Sequence, residues 1–175
     1  MSHLHECEGN ASESREVLHA LHERLFRAGE LAAVDELLSD HFVWRQAALP
    51  QDPVPGRDGL RQFAAMLQTA IPDWQWDFER PLSQGDRSVL RWTLRGTHGG
   101  PLWDRGPTYH PLLVTGIHIA RVRYGRIEEL WQNWGLMSLL QQLGYLPIIG
   151  EQTVYPIWDY PEPGSVQPRP TPHAA

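Results

Sequence analysis

The sequence predicts an α+β domain, with helices first and a curved antiparallel sheet packed against them. Three observations carry this reading. Apolar residues recur at helical spacing up to Leu67, the period changes to alternation from Trp74 onward, and turn signals divide the alternating part into strand-length pieces. With 175 residues, 41% of them hydrophobic, the chain is long enough for one packed domain.

The elements follow in order. Residues 12–28 place Val17, Leu18, Leu21, Leu25 and Phe26 on one helical face, with Ser12 or Ser14 as cap and Gly29 as stop. A short second helix groups Leu31, Val34, Leu37 and Leu38. "DHFVWRQ" (40–46) reads as a short extended segment, and "QDPVPGRDG" (51–59) as turn chemistry. A third helix over 59–69 clusters Leu60, Phe63, Ala64 and Leu67 before Pro72 ends it. "WQWDFERPL" (74–82) and "SVLRWTLRGTH" (88–98) are strands separated by the hairpin signal "SQGDR". After a Gly- and Pro-rich loop, "LLVTGIHIARVRY" (112–124) and "RIEELWQNW" (126–134) form a second hairpin joined at Gly125. A last helix over 136–143 closes the domain. The chain thus divides into a flexible start (1–11), a folded domain (12–144) and a proline-rich extension (145–175) that is expected to pack on the domain or on a neighbouring subunit as far as Trp158.

Composition narrows the function classes. A net charge of −6 argues against a nucleic-acid surface. No apolar run approaches the roughly 18 residues that span a bilayer, so no membrane partner is expected, and "MSHLHECEGNASES" lacks the regions of a signal peptide. Cys7 is the one cysteine, which excludes disulfides within the chain and fits a reducing cytoplasm. There is no lysine, so Schiff-base and pyridoxal mechanisms are excluded. Carbanion chemistry would then run by acid–base catalysis or hydrogen bonding. The 8 tryptophans serve either a Trp-rich core or a cavity for a flat, largely apolar ligand.

Candidate site residues follow from the alternation. In "ELWQNWG", Glu129, Trp131, Asn133 and Gly135 share one parity and read as a pocket wall. Glu129 is either an acid–base group in a dry pocket or a carboxylate paired with an arginine such as Arg91. Asn133 offers an amide to a carbonyl or enolate oxygen. His118 interrupts an apolar strand, as a pocket base or as a core histidine held by a hydrogen bond. His98 precedes the loop, either touching a ligand or pinning the loop, and Asp104 in that loop is a lid acid or a solvated aspartate. Trp44, Trp92, Trp103, Trp131 and Trp134 are candidates for stacking on rings, with core packing as the alternative. No metal site is expected, because the nine histidines are scattered and His19 and His22, three apart, equally suit an exposed helix face.

The order and spacing of several segments resemble the SnoaL-like polyketide cyclase family, which has a nuclear-transport-factor-like fold. These are "PGRDGLRQF" (55–63), "IPDWQW" (71–76), "GDRSVLRWTLRGTHGG" (85–100), "PT" (107–108), "GIHIARVRYGRIEELW" (116–131) and "LLQQLG" (139–144). The resemblance covers about residues 15–144 and implies a single cone-shaped domain around a deep, mostly apolar pocket. It also implies a cofactor-independent cyclase, or related lyase or isomerase, acting on a small polyketide-like ligand. A non-catalytic binding protein or hydroxylation partner on the same fold is the alternative. The family motif runs Glu, Trp, then Asp four residues after the Trp. Glu129 and Trp131 match, but the acid position falls on Gly135, and a family histidine is replaced by Arg45. The site residues carried forward are His118, Glu129 and Asn133 for chemistry and Trp44, Arg91, His98, Trp131 and Gly135 for the pocket. No cofactor or metal is expected. Related proteins pair sheet surfaces, so a homodimer or higher homo-oligomer is expected.

Overall fold

Helix α1 (Ala11–Leu21) starts at Asn10, whose side-chain oxygen accepts from the backbone N–H of Ser12 and Glu13. Asn10 therefore takes the capping role expected of Ser12 or Ser14. Ser14 instead turns inward and joins Ser88 and the Gly85 carbonyl. The structure, a computed structural model, describes residues 10–46, 56–103 and 105–146. Asp104, the start of the chain and most of the extension lie outside them.

The predicted first helix is one continuous rod with a change of pitch. From His22 to Arg27 it widens into a π-helix, and the chain then turns at Gly29, whose φ is +73°. A short α2 (Ala33–Leu37) leads into β1 (Leu38–Gln46). Helix α3 (Gly56–Ala70) begins three residues before the predicted start, within the segment read as a turn. Its C-terminus is capped by the backbone N–H groups of Gly99 and Gly100, both donating to the Ala70 carbonyl. The predicted strand 74–82 divides into β2 (Gln75–Phe78) and β3 (Leu82–Gln84), both paired with β4 (Arg87–Thr97). Strands β5 (Pro111–Arg123) and β6 (Arg126–Trp134) form the second hairpin, and α4 (Leu136–Gln142) follows. Tyr124 and Gly125 both have positive φ, 51° and 72°, the pattern of a type I′ hairpin turn.

The sheet order is β1-β6-β5-β4-β2, with β3 on β4. All pairings are antiparallel except β1 with β6, which is parallel, so the sheet is mixed. Helix α1 packs on β4 and β5, and α3 on β1. The helices cover one face of a curved, unclosed sheet, and the core lies between them. That inner face carries alternate residues of each strand: Trp44 and Gln46 on β1, Trp92 and Leu94 on β4, Val114 and His118 on β5, and Gln132 and Trp134 on β6 are all buried.

Candidate functional site

The alternation in "ELWQNW" is real, and its polarity is the reverse of the expected one. Leu130, Gln132 and Trp134 face the helices and are buried, whereas Trp131 is half-buried and Asn133 is exposed on the outer face. A β-bulge sets the phase. Arg121 pairs with Glu129 but Val122 pairs with Ile127, so Glu128 is an extra residue and Ile127 and Leu130, three apart, both point inward. Both parities of this segment hold polar groups and a tryptophan, so composition alone does not tell inside from outside.

On the outer face Glu129 sits between two guanidinium groups, Arg121 at 3.2 Å and Arg45 at 3.4 Å. This is the ion-paired alternative, with a different partner from the one expected. Arg91 belongs to the outer face as well, where it bonds Glu79 at 2.8 Å. The Arg87 guanidinium lies over the Trp131 ring, 5.7 Å from its centroid. The structure therefore separates Glu129, Asn133, Trp131 and Arg91 from the interior that holds His118 and Trp44.

The interior builds a different constellation. His118 is fully buried, and its Nδ1 lies 2.8 Å from Nε2 of His22, the first residue of the π-helical segment. His22 Nδ1 in turn lies 2.8 Å from the Leu18 carbonyl. A carbonyl only accepts, so His22 carries its proton on Nδ1 and presents a bare Nε2. That nitrogen accepts from Nδ1–H of His118, which leaves His118 Nε2 as a lone pair. Among the described residues no group hydrogen-bonds it in good geometry, although Gln132, directly across the β5–β6 register, biases the ring toward protonation. Burial dominates for both rings. It lowers the His22 pKa from 6.5 to about 4 and holds His118 well below its ordinary value, with the neighbouring His22 adding to the effect. Phe26 and Trp92 pack against His118, each at a centroid distance of 5.5 Å.

Beside Trp92 and Gln132 lies a narrow cavity, walled by Phe63, Trp76, Trp134, Leu102 and Leu139 among others. Its free space is about 10 Å³, room for about one water. Among the described residues, this cavity is narrowed by its own aromatic rings. Three of its wall residues, Trp76, Trp92 and Trp134, have buried indole N–H groups with no acceptor among the described residues. An indole N–H can only donate, so this cavity wall offers unpaired donors.

The other expected residues are placed as follows. The Trp44 indole donates to Gln132 Oε1 at 3.0 Å, and its ring packs on Phe63. His98 is buried and pins the β4–β5 loop, its Nδ1 accepting from the Thr108 backbone at 3.1 Å while the Tyr109 N–H donates to its carbonyl. Trp103 is partly exposed at a φ of 52° and meets Tyr145 edge-on. Gly135 is the residue before α4, and a Cβ there would meet nothing closer than 3.7 Å. Among the described residues no three His, Cys, Asp or Glu side chains gather as metal ligands, and no helix is long and apolar enough to cross a membrane. Sequence reasoning missed His22, Gln132, Gln46 and Trp76. For His22 a signal existed, since it stands four residues from both Leu18 and Phe26 on the buried face.

The model of a family described as SnoaL-like polyketide cyclase matches residues 16–143. No curated protein matches the chain. Among solved structures, AclR, a candidate hydroxylase from Streptomyces galilaeus, superposes with a TM-score of 0.70 at 21% identity, over 79% of this chain and 100% of its own. IdmH, a candidate polyketide cyclase from Streptomyces antibioticus, is 28% identical with a TM-score of 0.62, over 75% of this chain and 98% of its own. An epoxide hydrolase of M. tuberculosis shares the fold at 13% identity and a TM-score of 0.59, covering 77% of this chain and 92% of its own.

Proposed function

The chain belongs to the SnoaL-like polyketide cyclase family, and from that premise we propose that it catalyses a ring-forming or related lyase or isomerase step on a carbonyl-rich small molecule. The observation that carries this reading is the bare Nε2 of His118, held by the His22 relay beside a cavity wall that offers unpaired donors. A depressed pKa makes neutral imidazole a weak base and its protonated form a strong acid. Such a group suits a substrate whose C–H is already acidic, such as the carbon between two carbonyls of a polyketide. His118 Nε2 takes that proton, and the electron pair moves onto a carbonyl oxygen as an enolate. The enolate carbon then bonds to a second carbonyl carbon, and the resulting alkoxide takes the proton back from His118. Indole N–H donors of the cavity wall steady the oxygen anions in the role first given to Asn133. No step needs a metal or cofactor.

The direct test is product formation from a poly-β-ketone substrate with His118→Ala and His118→Gln, each checked for folding by circular dichroism. A fall of about 100-fold or more is expected for general-base loss. Unchanged turnover in a folded variant would remove His118 from the mechanism.

A second reading, a binding protein that shields a reactive chain by confinement, is favoured by one observation. By the resemblance, the family's acid position falls on Gly135, which has no side chain to transfer a proton. In that case His118→Ala leaves any rate effect intact, while enlarging the cavity at Trp92 changes affinity. The outer sheet face supports a third part of the proposal. Ile117 and Ile119, 43% and 40% exposed, adjoin Trp131 on that face and suit pairing with a second copy of the chain. Light scattering of Ile117→Arg should show half the native mass if the face pairs. The lone Cys7 is consistent with a cytoplasmic setting.

A further inference from the structure

Gln46 ends β1 on the inner face at 1% exposure, and among the described residues neither Oε1 nor Nε2 of its amide has a hydrogen-bond partner. A buried amide with all its hydrogen bonds unmade disfavours the folded chain, so an occupant that supplies them binds with a gain. Its place in the sheet says what that occupant is. In the parallel β1–β6 register Gln46 stands beside Gln132, and Gln132 stands opposite His118 in the antiparallel β5–β6 register. Side chains of register partners share a face, so His118, Gln132 and Gln46 form a polar row across three strands of an apolar interior. Adjacent strands are about 4.8 Å apart, which puts Gln46 roughly 10 Å from His118 along the row. Gln132 is already committed through its oxygen to Trp44. Gln46 is the amide left open.

We propose that Gln46 is a specificity-determining residue that binds the end of the ligand remote from His118, through a neutral group bearing a hydrogen-bond donor and an acceptor on adjacent positions. A primary amide presents N–H and C=O in one plane, so its full complement is an acceptor beside a donor, as in a lactam or a carboxamide. The chain uses this pairing elsewhere: Gln142 accepts from the Leu113 N–H at 2.8 Å and donates to the Leu113 carbonyl at 2.9 Å. A carboxylate or phosphate accepts only, and would set its charge against Gln46 Oε1. A cation donates only, and would meet Nε2 with the wrong sign. Neither satisfies both halves.

This inference rests on the interior being a ligand site, and it does not require His118 to be catalytic. The test uses 2-quinolone, which carries N–H and C=O side by side, and N-methyl-2-quinolone, which keeps only the acceptor. Binding is read by tryptophan fluorescence and calorimetry with the native chain, Gln46→Met and Gln46→Leu. The native chain should prefer 2-quinolone by about 10-fold or more, because a site built to hydrogen-bond a group rejects the analogue lacking it. Both variants should lose the preference and, without ligand, melt at or above the native temperature. Equal binding of the two probes to the native chain would overturn the role of Gln46 while leaving the ligand site standing. Failure of both probes to bind would overturn both. Variants that melt well below native without ligand would show the amide already satisfied and would overturn the proposal.

Discussion

His118 is a histidine kept neutral by its surroundings, and that state is measurable. Nitrogen-15 spectra at pH 7 should show Nδ1–H tautomers for both His22 and His118, as the chain from the Leu18 carbonyl requires. On acidification the His22 ring should hold its neutral shifts until about pH 4. Stability follows by proton counting. Below the ordinary value of 6.5 the unfolded chain protonates these two imidazoles and the folded chain does not. Stability is therefore complete above about pH 6.5 and falls as pH drops toward 4. For the same reason the pH–rate profile should lack an inflection near 6.5, and one centred there would show that the working base is another group. The sequence marked His118 because it breaks an apolar strand. It did not mark His22, although its spacing of four from Leu18 and Phe26 places it on the apolar helix face. Glu129 and Asn133 were selected for chemistry they are capable of, and the fold sends them to the opposite face.

At the scale of elements, helices and strands were legible because their periods are regular and Gly and Pro punctuate them. The phase of β6 was not, because the bulge at Glu128 adds one residue that no local signal announces. The parallel pairing of β1 was equally hidden, since hydrophobic alternation says nothing about strand direction. Two glycines give predictions here. A Cβ on Gly116 would lie 2.3 Å from the Trp92 ring and 2.7 Å from the Asn133 carbonyl. Gly116→Ala should therefore cost about 1–3 kcal/mol in chemical denaturation and shift the Trp92 fluorescence. Gly135→Asp is the contrasting case, for a Cβ there is unobstructed and the new carboxylate would cap α4. It should leave the fold intact, with a gain of only a few tenths of a kcal/mol. If the vacant position matters to the chemistry, the same variant changes turnover.

For the whole molecule, an α+β domain with an interior site was legible from the order of elements, but the tightness of that interior was not. Trp76, Trp92 and Trp134 line the cavity beside Gln132 closely, so a ring-sized ligand placed there displaces at least one of them. Binding should accordingly be slow to start and should alter the tryptophan emission before the circular dichroism of the backbone. Stopped-flow fluorescence with either quinolone measures this, and a diffusion-limited rate would show that the interior stands open.

The parallel pairing of β1 with β6 joins the first strand of the domain to the last. During synthesis β1 emerges early and has no strand to pair with until almost the whole domain has left the ribosome. Its docking closes a loop of more than eighty residues, as the Trp44 to Gln132 hydrogen bond does with a separation of 88, so it belongs to the slow, late part of folding. The amide of Gln46 and the ring of Trp44 reach their places only in that final step.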